Sequence, residues 1–283
     1  MALMESERLH IPEELLIRDF VDSIQAIVTS TYLGLLQNYT NLDFLSCRTI
    51  LASIIEIVDD INDYIANLLP GDCKEYLSCD SIDRSEANDN HAFKHLTPKF
   101  LSCLKIFGLP NHSLKLKIGT TIVLIRNLDQ SEGFCNGTRL TYTKLVNHVI
   151  EAKIISGANI GNIIYITRMS LSPSQSPWPF KLIIRQFPII VSFVMTINQS
   201  QGQSLDYVGL YLPKNVFSHG QFYVVISRVK SKAGLKILIH DKNNNSLTET
   251  TNVVFKEVFH NLSHTTIFEE TIQMTPCKCY VIY

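Results

Sequence analysis

The sequence has no glycine followed by lysine. Twelve glycines occur in 283 residues, and each precedes some other residue. A phosphate loop of the G-x-x-x-x-G-K-[S/T] type is therefore absent, and with it a nucleotide cradle built by this stretch alone. Long apolar runs are absent as well. Phe187 to Met195 is the longest candidate and contains Pro188 and Ser192. It falls far short of the ~20 residues a membrane-spanning helix needs. The opening residues MALMESERLH carry charges where a secretory leader needs an apolar stretch. Cysteine is sparse. Cys47, Cys73, Cys79, Cys103, Cys135, Cys277 and Cys279 are odd in number and scattered, so they read as reduced thiols rather than a disulfide framework. Cys277 and Cys279 have no second Cys/His pair at zinc spacing, which argues against a structural metal.

What is present supports a folded chain. The hydrophobic fraction is 46%, enough for a sizeable core. At about 150 residues per domain, the length allows one large domain or two small ones. The formal net charge is −1, but it is unevenly placed. Residues 1–100 hold 7 Lys/Arg against 17 Asp/Glu, and residues 101–240 hold 15 against 4. The second stretch thus carries an excess of 11 positive charges. Such a segment suits an anionic partner; a solvated basic face is the alternative that charge alone leaves open.

Patterning gives an order of elements. Ile11 to Ile17 reads as a short capped turn or helix in an acidic, mildly helical stretch. Arg48 to Ser53 reads as a strand. Glu56 to Leu69 has apolar residues at helical spacing and ends at Pro70-Gly71. Residues 72–100 are polar and acidic, an irregular excursion. Strands are then expected at Thr120–Arg126, Thr138–Tyr142, Gly161–Arg168 and Phe180–Gln186. Asn136-Gly137 signals a tight hairpin, because both residues tolerate positive φ. Ser172 to Pro179, with Trp178, reads as a loop. Several short strands in succession suggest a small all-β barrel. The α/β texture returns with a buried strand at Ile189–Ile197, a strand at Asp206–Leu212, a helix at Ser218–Val229 and a strand at Leu235–Ile239. A β module is thus expected inside an α/β domain.

Two stretches carry chemistry. In Met195-Thr-Ile-Asn-Gln-Ser-Gln-Gly-Gln-Ser-Leu-Asp206, a buried strand ends in a polar turn. Ligands of open α/β sheets bind at the carboxyl ends of strands. Thr196, Asn198, Ser200, Gln201 and Gly202 fall there, and Gly202 permits close backbone approach. A plain strand-to-helix turn is the alternative. In His219-Gly-Gln-Phe-Tyr-Val-Val-Ile-Ser-Arg-Val-Lys-Ser231, Arg228 ends an apolar helix. It either satisfies the helix C-terminus or is aimed at a phosphate.

Together these stretches resemble motifs V and VI of superfamily-one ATP-dependent DNA helicases. The chain is most similar to the PIF (petite integration frequency) family, in the form carried by plant Helitron transposons. The resemblance extends through Ile11–Ile17, Asp59–Tyr64, Leu69–Gly71, Tyr76–Ile82, Leu109–Gly119, Arg126–Asp129, Cys135–Leu140 and Arg185–Pro188, roughly residues 11–260. It implies an α/β fold: the second RecA-like motor domain with an inserted SH3-like β barrel, the first, P-loop domain lying outside this chain. The chain divides accordingly. Residues 1–46 form an acidic lead-in, 47–112 and 188–262 the two parts of the motor domain, 113–187 the barrel, and 263–283 a tail.

The resemblance also implies roles. Arg228 matches the arginine finger that touches the γ-phosphate of ATP. Gln201 and Gly202 match the motif V turn near that phosphate. Thr196 and Asn198 match positions facing single-stranded DNA. Lys115, Lys117, Arg126, Arg139 and Arg185 would line the strand's path. The family unwinds duplexes 5′ to 3′ with ATP and Mg2+, and serves telomere maintenance, repair and transposition. This chain alone is expected to bind neither ATP nor Mg2+, and to need the missing first domain in cis or trans. Nuclear localisation and no membrane partner follow from the same likeness. Two departures stand out. Gln199 occupies a position where the family usually has lysine, and Ile54-Ile55 replace a Thr-Asn pair of motif IV. The expected function is the C-terminal half of a DNA helicase, incomplete as a stand-alone motor. The alternatives are a catalytically inactive single-stranded DNA-binding remnant and a non-functional gene fragment.

Overall fold

The structure is a computed structural model that describes residues 5–83, 97–104, 106, 108–157, 159–173, 180–213 and 220–254. Most of the expected Ser172–Pro179 loop with Trp178, the residues Ser218 and His219, the Cys277/Cys279 pair and the tail lie outside the described residues. The chain divides into two compact units. One comprises Met1–Leu33, Arg48–Val58 and Met195–Tyr283; the other comprises Gly34–Cys47 and Asp59–Val194.

The first unit is mixed α/β. Its sheet has the order Val194–Thr196, Arg48–Ala52, Tyr207–Leu212, Leu235–Ile239, and the last three strands are parallel. A parallel sheet buried on both faces calls for near-continuous apolar strands. Leu210, Leu212, Ile237 and Leu238 meet that demand, all at 2% exposure or less. One face packs on the helix Gln221–Ile226 through Phe222 and Val225. The other carries the helix Ser23–Thr31. Asp22 caps that helix, accepting from the N–H groups of Ile24 and Gln25 at 2.8 and 3.1 Å. The stretch read as an acidic lead-in therefore contributes a packed helix. Its Ile11–Ile17 segment forms the expected turn, a 3-10 turn at Glu13–Leu15, and Leu16 bridges to Ile237.

The second unit holds a five-stranded antiparallel sheet. Its order is Ile189–Val191, Thr121–Leu124, Arg139–Lys144, Val149–Ile154, Ile163–Thr167. The antiparallel strand pair Lys74–Leu77 and Ser113–Leu116 shares its core, where Tyr76, Leu116, Tyr142, Ile150 and Phe187 meet. The hydroxyls of Tyr76 and Tyr142 lie 2.8 Å apart. Burial first, and then the bond to Tyr76, pushes the Tyr142 phenol well above its ordinary range. A second, smaller core forms under the three-stranded sheet Met169–Leu171, Leu182–Gln186, Cys79–Ile82. The helix Pro98–Ser102 adds Leu101 to it.

Three sequence expectations need correction. The polar stretch after Pro70 contains two ordered strands, Lys74–Leu77 and Cys79–Ile82. The Asn136-Gly137 turn is real, closed by Thr138 N–H on the Cys135 carbonyl at 3.0 Å, but it is not a two-residue hairpin. Only Gly137 takes positive φ, and the strands it was expected to join end at Leu124 and begin at Arg139. The Ile189–Ile197 run is two strands rather than one. Ile189–Val191 pairs with Thr121–Leu124, and Val194–Thr196 joins the parallel sheet. Asn62 marks the break. Its amide donates to the Val194 carbonyl and accepts the Val194 N–H, both at 3.0 Å.

Candidate functional site

The turn after Val194–Thr196 builds itself from side chains that bond to its own backbone. The Thr196 N–H donates to Gln199 Oε1 at 3.0 Å, and the Gln199 N–H donates to Thr196 Oγ1 at 3.3 Å. This reciprocal pairing has the logic of a capping box. Ser200, fully buried, donates its hydroxyl to the Ile197 carbonyl at 2.6 Å. A 3-10 turn over Asn198–Ser200 results. Thr196 is buried at 8% exposure, whereas Asn198, Gln201 and Gly202 are exposed. Gly202 takes φ +81, a conformation that favours glycine. Gln199 spends its amide oxygen on the turn, a bond that a lysine could not accept.

Arg228 belongs to the same unit. It follows the helix Gln221–Ile226, and its guanidinium is held locally. Nε donates to the Val224 carbonyl at 3.2 Å, Nη1 to the Gln203 carbonyl at 3.2 Å, and Nη2 to Ser227 Oγ at 2.9 Å. The main chain ties the two stretches as well. Leu205 N–H donates to the Arg228 carbonyl at 2.8 Å, and Lys230 N–H returns to the Leu205 carbonyl at 2.9 Å. An ion pair between Lys230 and Asp206 at 2.9 Å closes the junction. The structure therefore brings Arg228 and the turn containing Gln201 and Gly202 together. Chemically, this is an arginine beside exposed polar backbone, a pairing suited to an anionic ligand.

The five basic residues expected along a nucleic-acid path separate into two groups. Lys115 and Arg185 are exposed. Arg126 is half-buried and donates to the Gly108 and Ile125 carbonyls at 3.2 and 2.6 Å. Lys117 donates to the Leu69 carbonyl at 2.7 Å, just past the end of the helix Ile55–Leu68. Its charge complements that helix terminus. Arg139 departs furthest from expectation. It is 1% exposed, and its guanidinium donates to the carbonyls of Ser46 and Leu45 at 3.0 and 3.3 Å. Those carbonyls end the helix Leu42–Ser46. Burial and these bonds keep Arg139 inside, so it does not line a surface path.

Sequence reading missed Arg168 and His112 as functional candidates. Arg168 donates through Nη1 to the Leu77 carbonyl at 2.6 Å and to Gln186 Oε1 at 3.1 Å. Its guanidinium carbon lies 4.8 Å from the centroid of the Phe187 ring. His112 Nδ1 lies 2.8 Å from Asp80 Oδ2 and 2.7 Å from Ser78 Oγ. Neither residue sits in a local sequence motif that would reveal these partners. Among the described residues, no group of three or more His, Cys, Asp or Glu could hold a metal ion. No described helix is long and apolar enough to cross a membrane.

Parts of the chain are similar to known proteins. Residues 99–145 match the family model for the 2B domain of DNA helicase Pif1. The ATP-dependent DNA helicase PIF1 of Homo sapiens is 29% identical over 163 residues, which are 56% of this chain and 24% of the relative. The Rattus norvegicus protein of the same name is 32% identical over 131 residues, 45% of this chain and 20% of the relative. The chain thus spans about a quarter or less of the length of these curated relatives. Among solved structures, a crystal structure of Pif1 helicase from Candida albicans has a TM-score of 0.49 at 20% identity, covering 76% of this chain and 55% of that one. Pif1 helicase from Bacteroides in complex with ADP-AlF3 and ssDNA has a TM-score of 0.48 at 20% identity, covering 73% and 48%. The sequence matches thus make residues 99–145 similar to the 2B domain of Pif1, and about half of the chain similar to part of the PIF1 helicases.

Proposed function

We propose that this chain supplies the C-terminal part of an ATP-dependent DNA helicase: the second RecA-like motor domain with an SH3-like barrel inserted in it. The observation that carries this reading is the tie between the two motif-bearing stretches. Gln203 and Leu205 hold Arg228 through one side-chain bond and one main-chain bond, and a second main-chain bond joins Leu205 to Lys230. That arrangement suits a motor in which the turn following Thr196 faces single-stranded DNA and Arg228 reaches a nucleotide. ATP with Mg2+ would be held by a first motor domain, in cis or in trans. Gln201, Gly202 and Arg228 are the groups of this chain that would meet its phosphates; Asn198, Lys115 and Arg185 are exposed enough to meet DNA. Movement is 5′ to 3′ and the location nuclear on this reading.

Arg228→Ala tests it in an enzyme reconstituted with a PIF-type first motor domain. ATP hydrolysis is expected to be abolished while affinity for a single-stranded oligonucleotide stays nearly unchanged. Because Arg228 also bonds its own helix, Arg228→Lys serves as a second variant that retains the charge. Hydrolysis at the unmodified rate in both would remove the finger role.

A second reading has its own support. Gln199 replaces a cation and is spent within the turn, and each guanidinium nitrogen of Arg228 already has a local acceptor. A protein that binds single-stranded DNA without hydrolysing ATP fits those facts. Hydrolysis by the reconstituted enzyme separates the two readings.

A further inference from the structure

The strand Ile163–Thr167 stands last in the five-stranded sheet and is paired on one side only. Which of its main-chain groups face the open side follows from the ladder. The Ile155 N–H donates to the Arg139 carbonyl at 3.0 Å, and the Ile154 N–H donates to the Asn162 carbonyl at 2.9 Å. Successive residues of an antiparallel ladder alternate between bonding one neighbour and the other. Asn162, Ile164 and Ile166 therefore turn their main-chain groups toward Val149–Ile154, and Ile163, Tyr165 and Thr167 turn theirs away from the sheet. Among the described residues, no strand pairs with that side. The same three residues carry exposed side chains, with Ile163 at 51% and Tyr165 at 67%, while Ile164 and Ile166 belong to the core.

Open edges usually carry charge, which opposes pairing with another chain. Other edges of this protein follow that rule. Lys115 is exposed on Ser113–Leu116, and Arg8 and Glu249 are exposed on the strands Glu5–His10 and Glu249–Val254. The edge at Ile163–Thr167 does not. None of residues 154–167 is charged and none is proline. The strand itself, Ile-Ile-Tyr-Ile-Thr, is β-branched or aromatic throughout, a composition that favours a pleated, paired surface. The cation that follows, Arg168, has its guanidinium drawn aside to the Leu77 carbonyl and Gln186 Oε1 at 2.6 and 3.1 Å.

We propose that this edge pairs with the same edge of a second copy of the chain, antiparallel and two-fold about Tyr165. Tyr165 then lies opposite the partner's Tyr165, and Ile163 opposite the partner's Thr167. These are the residues whose main-chain groups face outward, so each opposed pair exchanges both of its N–H···O bonds. Each pair is also aromatic or β-branched, the kind that stabilises a sheet across strands. Arg168 falls opposite Asn162, so no like charges meet. A phosphate strand or a charged peptide finds no counter-charge along this edge; its own sequence matches it in neutrality and in register. A contact of this kind uses each edge once and closes at two copies. Five residues cover far less than the about 1,200 Å² of a standard interface, so the association is weak and reversible. The pairing does not rest on the helicase reading.

Sedimentation equilibrium of the full chain from about 1 μM to about 1 mM reads the association. A monomer–dimer equilibrium is expected, with amide exchange at Ile163, Tyr165 and Thr167 slowing as concentration rises. Tyr165→Lys sets like charges opposite each other across the two-fold and is expected to weaken dimerisation about tenfold or more. The side chain is exposed, so the variant keeps its fold, which circular dichroism checks. Tyr165→Phe retains the aromatic pair and is expected to dimerise within about twofold of the unmodified chain. A dimer that folded Tyr165→Lys leaves unaltered is joined elsewhere and overturns the proposal, as does a mass that grows beyond two copies. A monomer throughout the range overturns it too: slow exchange at the Tyr165 amide then means that the edge is covered within its own chain, and fast exchange that it stays open.

Discussion

Arg139 and Lys115 lie on strands of the same unit, and their charges have different uses. The Arg139 guanidinium, buried at 1% exposure, answers the last carbonyls of a short helix. Removing one partner from such a buried contact leaves polar groups unsatisfied, and the loss is far greater than the net worth of the bond. Arg139→Ala is therefore predicted to lower unfolding stability by about 3 kcal/mol in urea titration, with the salt slope of DNA binding unaltered under conditions where the variant is folded. Lys115→Ala is predicted to do the reverse, leaving the urea midpoint in place and reducing the slope by about 0.7. A reduced slope in folded Arg139→Ala would mean that the arginine reaches DNA after all. From the sequence the two residues look alike, because charge is visible there and burial is not. Gln199 shows the complementary case. Its departure from lysine is visible in sequence, but its use as the acceptor for Thr196 N–H appears only in the fold.

Elements with a strong period were legible, and those defined by a distant partner were not. Leu235–Ile239 was bounded correctly, and the helix Ile55–Leu68 within a residue, because apolar spacing and a Pro-Gly stop define them locally. Val149–Ile154 alternates buried and half-buried positions, a period-two signal that reading passed over. The break inside Ile189–Ile197 had no such local signal. It is set by Asn62, 132 positions away from Val194, whose amide takes both main-chain groups of that residue. Hydrophobicity continues straight through the break, so the run reads as one strand. Asn62→Ala leaves the Val194 N–H and carbonyl unpaired and is predicted to cost roughly 1–3 kcal/mol. Hydrogen exchange at the Val194 amide checks it: protection is expected to fall there before it falls in Tyr207–Leu212. Undiminished protection at Val194 would show that another group holds the break.

On the scale of the whole molecule, the charge split along the sequence does not survive in the two units: the unit with the antiparallel sheet holds 14 Lys/Arg against 13 Asp/Glu, and the parallel-sheet unit 11 against 13. Each unit encloses its own apolar cluster, one around Leu210 and Phe222, the other around Tyr142 and Ile150. Separate cores permit separate opening, because a cooperative unit is defined by the contacts it shares. Ile150 is fully buried on Val149–Ile154, the fourth strand in the order of the five-stranded sheet. Ile150→Ala removes three methyl or methylene groups' worth of contact there and is predicted to cost about 2–5 kcal/mol. If the cores open independently, that loss appears in the exchange rates of Thr121–Leu124, Arg139–Lys144 and Val149–Ile154 and leaves those of Tyr207–Leu212 and Leu235–Ile239 unaltered. An equal loss across both sheets would instead mean that the chain opens as a single cooperative body. The distinction bears on the proposed function, since on the DNA-binding reading a module that opens alone would release a strand while the unit carrying Arg228 stays folded.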